Sequence, residues 1–184
     1  MQAGGFLGDP GSLTLVHGDP RCENFFLADD GVKLIDFQLM KSAPAAFDVA
    51  YMMYTNMGAA AAAEHELELM AGYHRTLLGQ LSPEQAAGLT FTRFASEYQA
   101  AVLYFVYQMF IAGDLEESIK KNPPLWAHML GNLDAAFARW DVPAFFEGSM
   151  RRCEEDGTLR ATDDAERLAL LPARVREYIE AKSL

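Results

Sequence analysis

The sequence has little cysteine, little positive charge and no long apolar run. Its 184 residues hold only two Cys, Cys22 and Cys153. Two thiols cannot build a disulfide framework or a four-ligand zinc site. Far apart in sequence, they fit a reduced setting, and a cytoplasmic location is expected. Lys and Arg total 15 against 26 Asp and Glu, a net charge of −11. Phosphate backbones are held by clustered Lys and Arg, so nucleic acid is not an expected partner. An anionic membrane surface is disfavoured for the same reason. The longest apolar stretch, Ala100 to Gly113, is interrupted by Gln108. It falls short of the roughly 20 residues that span a bilayer and reads as a buried helix. The opening MQAGGFLGDPG has neither a basic n-region nor an apolar h-region, which excludes a secretory signal.

What is present is ordinary for a folded chain: 51% hydrophobic and 22% charged residues, enough for a core without staples. The length suits one domain or one lobe of a larger fold. The first forty residues read as strands. Ser12 to Val16 is β-branched and apolar, and Asn24 to Ala28 and Val32 to Asp36 flank Asp29-Asp30-Gly31. An Asp-Gly tip between apolar runs signals a hairpin. From Ala45 the spacing becomes helical, through Phe47, Ala50, Tyr51 and Tyr54 and again from Leu67 to Leu78. Ser82-Pro83-Glu84-Gln85 reads as a helix start with a capping box. Further helices are expected over Phe91 to Ile111, over Leu125 to Trp140 beyond the break at Pro123-Pro124, and after Asp163-Asp164, with Pro172 as a kink or late start.

The chemistry concentrates in Leu15-Val-His-Gly-Asp-Pro-Arg-Cys-Glu-Asn24 and Leu34-Ile-Asp-Phe-Gln38. Asp19 lies in a polar loop after a strand, Asn24 opens the next strand, and Asp36 ends the one after the turn. The hairpin brings residue 36 back towards residue 24, so three oxygen-bearing side chains converge on one rim. A carboxylate and an amide oxygen make a hard-oxygen site suited to Mg²⁺, which takes few protein ligands and fills its shell with water and phosphate. A second carboxylate, free of the metal, can accept a proton. Phosphoryl transfer needs this pairing.

His17-Gly-Asp19-x-x-x-x-Asn24 with a downstream Ile-Asp36-Phe resembles the catalytic core of the aminoglycoside phosphotransferase and choline kinase group. With Phe47-Asp48-Val49-Ala50 it is most similar to the ecdysteroid-kinase-like branch, over residues 13 to 54. The resemblance implies an α+β fold: the mostly helical C-terminal lobe of a protein-kinase-like fold, with a small β-hairpin carrying the catalytic loop. Residues 12–40 would form loop and hairpin, and 45–184 a helical subdomain. It implies an ATP- and Mg²⁺-dependent small-molecule kinase. Asp19 would be the catalytic base towards the acceptor hydroxyl, and Asn24 and Asp36 would hold Mg²⁺ and through it the nucleotide. His17 would bond backbone near Asp36, and Asp48 would bond the loop backbone, with a plain helix cap as its competing reading. Gln38 in place of glycine argues against a mobile switch at Asp36.

Several residues are expected to stand aside. Arg21 and Glu23 read as solvated loop charge and Cys22 as a bystander. His65, His74 and His128 read as core or surface histidines, and Tyr104, Phe105, Tyr107 and Phe110 as core, part of which would line the acceptor pocket. Sixteen residues before His17, with Gly4, Gly5 and Gly8 but no Lys, leave no room for the N-terminal lobe the resemblance calls for. That lobe is expected to be absent, which makes a separate N-terminal lobe or a self-association partner the companion of an apolar patch near residues 13 to 40. The competing reading is a non-catalytic kinase-lobe remnant acting as a binding module. An all-helical interaction protein would explain the back half and not the Asp/Asn loop.

Overall fold

A computed structural model of the chain describes residues 12–111, 115–158 and 163–184. The opening segment with its glycines, and Gly113, lie outside the described residues. Four short strands form two antiparallel ribbons, one nested inside the other. β1 (Leu13–Val16) pairs with β4 (Lys41–Pro44), Val16 lying opposite Lys41. Between them β2 (Phe25–Ala28) pairs with β3 (Gly31–Leu34). β4 was not expected. Its Lys-Ser-Ala-Pro has no apolar alternation, and it becomes a strand only because β1 offers an edge across a long sequence gap. The hairpin tip also differs. Asp29 and Asp30 form the turn, and Gly31, opposite Ala28, carries the positive φ of +128° that an L side chain rarely adopts.

The rest is helical: α1 (Ala46–Asn56), α2 (Ala59–Leu78), α3 (Pro83–Ala87), α4 (Phe91–Ile111), α5 (Leu115–Lys121), α6 (Pro123–Arg139), α7 (Val142–Asp156), α8 (Asp164–Leu170) and α9 (Ala173–Lys182). The architecture is α+β and mostly helical, as the sequence implied. The expected capping box is present on α3, with Gln85 N donating to Ser82 Oγ and Ser82 N donating to Gln85 Oε1. Pro123 and Pro124 start α6 rather than break the chain before it. In a first turn their missing N–H groups have no helical partner to lose, and Asn122 Oδ1 accepts from Leu125 N at 3.3 Å. α7 escaped the sequence reading because its charged run hides a narrow buried edge at Val142, Phe145 and Ser149, only two of them apolar. Pro172 separates α8 from α9 rather than kinking one helix.

The core forms where α1 crosses α4. Phe47 and Tyr54 stand against Phe105, with ring centroids 4.6 and 5.0 Å apart. Tyr98 meets Trp140 at 4.6 Å further along. Tyr107 departs from expectation and is exposed; the Phe110 side chain lies outside the described residues. His74 is buried and donates from Nε2 to Leu89 O, His128 contacts Asn132, and His65 is exposed, so the histidines are core or surface groups. No helix among the described residues is long and apolar enough to cross a membrane.

One buried ion cluster locks the helices. Glu66 of α2 is fully buried and accepts from Arg139, Trp140 Nε1 and Arg174. It ties α2 to the end of α6 and to α9. A buried carboxylate is tolerated only with such partners. Replacing Glu66 with Ala leaves two guanidinium groups without their counter-charge, and urea unfolding is expected to register a loss of about 3–5 kcal/mol.

Candidate active site

The loop between β1 and β2 is shaped by one face of α1. Asp48, in the first turn, accepts from His17 N on Oδ2 at 2.7 Å and from Gly18 N on Oδ1 at 2.9 Å. Two turns on, Asn56 Oδ1 accepts from Cys22 N at 2.6 Å and its Nδ2 donates to Pro20 O at 3.1 Å. Tyr51 lies between them on the same face, where its phenol interacts with the Asp19 carboxylate. Tyr51 follows Asp48 by three residues, nearly one turn, and Asn56 follows Asp48 by eight, just over two turns.

The far side of the loop is fixed by the segment around Asp36. His17 donates from Nε2 to Ile35 O at 2.7 Å, which leaves Nδ1 to accept from Asp19 N at 3.3 Å. The His17 ring also lies 4.8 Å from that of Phe37. Gly18 has φ +85°, and a Cβ there would fall 2.2 Å from Leu39 O. Only glycine lets the loop approach the 3₁₀ turn of Phe37–Leu39 so closely.

Asp19 is buried. Arg21 grips it with a fork, Nε to Oδ1 at 2.8 Å and Nη2 to Oδ2 at 3.2 Å. Arg21 is therefore not the solvated loop charge the sequence suggested, because the tight loop turns its side chain back onto its neighbour. Glu23 and Cys22 are exposed, as expected. Asn24 is buried, and its Nδ2 donates to Asp19 O at 2.9 Å and to Asp19 Oδ2 at 3.3 Å. Its main-chain oxygen accepts from Ile35 N at 3.1 Å, one residue before Asp36. With the nitrogen committed, the Asn24 side-chain oxygen has no hydrogen-bond partner among the described residues. Asp36 sits in the left-handed region at φ 62° and is exposed, touched by Gln38 Nε2 at 3.4 Å. Asn24 and Asp36 thus present an uncommitted amide oxygen and an open carboxylate, a donor set that fits Mg²⁺. Among the described residues no group of three His, Cys, Asp or Glu side chains is arranged around a metal position.

A pocket of about 200 Å³ opens beside the loop, lined by Gly18 and Leu39, by Tyr51 and Tyr54 of α1, by Phe105 and Gln108 of α4, and by Trp126 and Met129 of α6 among others. Burial pushes the Tyr51 phenol up well beyond its ordinary value, and Asp19 pushes it further. Tyr51 is therefore a neutral donor at any physiological pH. Arg21, Tyr51 and Asn56 are the site residues that sequence reasoning missed. The spacing of Asp48, Tyr51 and Asn56 held the signal for two of them.

The helical part of the fold thus clamps an Asp/Asn loop, a hairpin and a following Asp turn onto one helix. Residues 9–83 match the model of the ecdysteroid kinase-like family, the branch whose resemblance the motifs carried. Over those residues, less than half of its length, the chain is similar to a kinase-like family. No curated protein and no solved structure gives a match.

The Asp48 clamp gives a direct test of the loop. Asp48→Ala strands two loop N–H groups, with an expected stability loss of about 3 kcal/mol. Amide exchange at His17 and Gly18 is expected to accelerate more than exchange at the α4 core, as read by NMR or mass spectrometry.

Proposed function

We propose that the chain is a small-molecule kinase that moves the terminal phosphoryl group of ATP to an acceptor hydroxyl. The observation that carries this reading is a buried carboxylate, Asp19, next to the pocket-lining Gly18 and hydrogen-bonded to an Asn whose amide oxygen is uncommitted. Asn24 and Asp36 would hold Mg²⁺. Bound there, the ion would neutralise phosphate charge and orient the nucleotide. Asp19 would take the acceptor proton as the oxygen attacks. His17 and Asp48 keep the loop in shape through its backbone. Arg21 keeps the Asp19 carboxylate fixed while no substrate is present.

The pocket supports a class of acceptor. Aromatic and aliphatic groups dominate its lining, Gln108 and Ser118 add neutral polarity, and no charged side chain is among the described lining residues. Such walls favour an uncharged, largely apolar alcohol over a polycationic aminoglycoside.

The second reading, a non-catalytic binding module, draws on Arg21, whose fork covers both oxygens of the proposed base. The ribbon face supports a companion. Leu15, Phe26, Leu27 and Val32 are all more than half exposed, and this is the surface we propose for a nucleotide-covering lobe or a self-association partner.

Calorimetry with Mg²⁺-ATP separates the readings. Wild type is expected to bind only with Mg²⁺ present, and Asp36→Ala to weaken binding on the order of tenfold or more, since even outer partners of a metal site cost that much. Asp19→Asn is expected to leave nucleotide binding nearly intact and abolish transfer to neutral ring alcohols. Absence of Mg²⁺-dependent binding in the wild type removes the kinase reading for this chain.

A further inference from the structure

The Asp19 carboxylate is surrounded. Arg21 occupies one position on each oxygen and Asn24 Nδ2 takes a second on Oδ2, while the Tyr51 phenol interacts with the carboxylate from the helix. Two carboxylate oxygens offer about four lone-pair positions, so three are taken and little room is left for a further partner. Of these partners only Tyr51 also lines the pocket. Arg21 and Asn24 reach Asp19 from the loop itself. Gly18, the chain neighbour of Asp19, lines the pocket as well, so a hydroxyl arriving there meets Tyr51 first, with Asp19 next to it outside the lining.

Tyr51 is well placed to be a fixed part of that encounter. Its helix is anchored to the loop one turn before it, by Asp48, and again after it, by Asn56. Its ring is wedged between Tyr54 and Phe105, with centroids 5.2 and 5.1 Å away. Both neighbours are buried pocket residues. The ring cannot swing without disturbing the α1–α4 core, so its hydroxyl is a preorganised donor on the pocket wall.

We infer that Tyr51 is the residue that orients the acceptor: an alcohol enters the pocket with its oxygen accepting from the Tyr51 phenol and its proton directed to Asp19. The inserted hydroxyl replaces the direct Tyr51–Asp19 contact, so every group keeps a partner. In the transfer step the acceptor oxygen forms its bond to phosphorus as its proton passes to Asp19, and the nucleotide leaves as the diphosphate. Tyr51 keeps its own proton throughout. This inference rests on the proposed kinase reading for the transfer step. The binding geometry stands apart from it.

The test uses benzyl alcohol and toluene, which differ by the hydroxyl, followed by ligand-observed NMR and by the fluorescence of Trp126 in the pocket wall. Wild type is expected to bind benzyl alcohol about tenfold more tightly than toluene, the worth of one well-placed hydrogen bond to a charged or buried partner. Tyr51→Phe, which keeps the ring and its packing, is expected to bind toluene as before and lose that preference. Tyr54→Phe is expected to retain it. A preference that survives in Tyr51→Phe, an absence of preference in the wild type, or a failure of either probe to bind in the pocket overturns the assignment. Mg²⁺-ATP calorimetry on the same samples reports separately on the kinase reading. Nucleotide binding can fail while the alcohol preference follows Tyr51, or hold while the preference ignores it.

Discussion

The two-armed bond from the Asp48 carboxylate to the backbone of His17 and Gly18 is the interaction on which the site depends. Both loop N–H groups point at one side chain, so the loop has no freedom to rotate about that point. A charge-assisted bond to backbone N–H is stronger than a neutral one, and here two share one acceptor. Gly18 makes the clamp usable. Its positive φ and missing Cβ let the loop lie against Leu39, so the same few atoms join helix α1, the loop and the segment that presents Asp36. His17 closes the circuit through Ile35 O.

The arrangement holds a tension between stability and chemistry. A buried carboxylate is costly unless its oxygens are occupied, and Asp19 meets that demand with Arg21, Asn24 and Tyr51. A base, however, needs an oxygen open to a substrate proton. The structure reconciles the two by making the partners unequal. Asn24 is held in place by its own bonds to the loop and to Ile35. Arg21 is about one-third exposed and reaches Asp19 from the rim. Tyr51 faces the pocket. Under the proposed kinase reading, occupancy would change on the pocket side while the loop side stays fixed, a form of preorganisation that phosphoryl transfer uses.

Much of this was legible in the residues. His17, Asp19, Asn24 and Asp36 stand out because oxygen-bearing side chains at those spacings, around a hairpin, have few other uses. The hairpin and the long amphipathic helices followed from periodicity and turn chemistry. What stayed hidden had a common cause. β4 is a strand only through its pairing with β1, Arg21 is an ion-pair partner only because the loop folds back, and the pocket is assembled from α1, α4, α5 and α6, which are far apart in sequence. Each depends on tertiary contact rather than on local pattern. Tyr51 is the intermediate case. Its helical spacing from Asp48 was readable, yet an aromatic residue in an apolar helix reads first as core.

The two halves of the molecule are stabilised by different means, and this bears on where function can reside. The helical half buries aromatic side chains around Tyr98, Phe105 and Trp140 and encloses the fully buried carboxylate of Glu66 in partners. The ribbon half buries little. Every residue of β3 and most of β2 is exposed, including Leu27 and Val32. Burial cannot set its geometry, so polar bonds must: Asp48 to the loop, His17 to Ile35, Asn24 to Asp19. Segments held this way open more readily than a packed core, yet their side chains are aimed by bonds of defined direction. The proposed ligands and base stand on the part of the fold that can yield to a substrate, and the rigid aromatic wall behind them, with Tyr51 at its edge, is what they yield against.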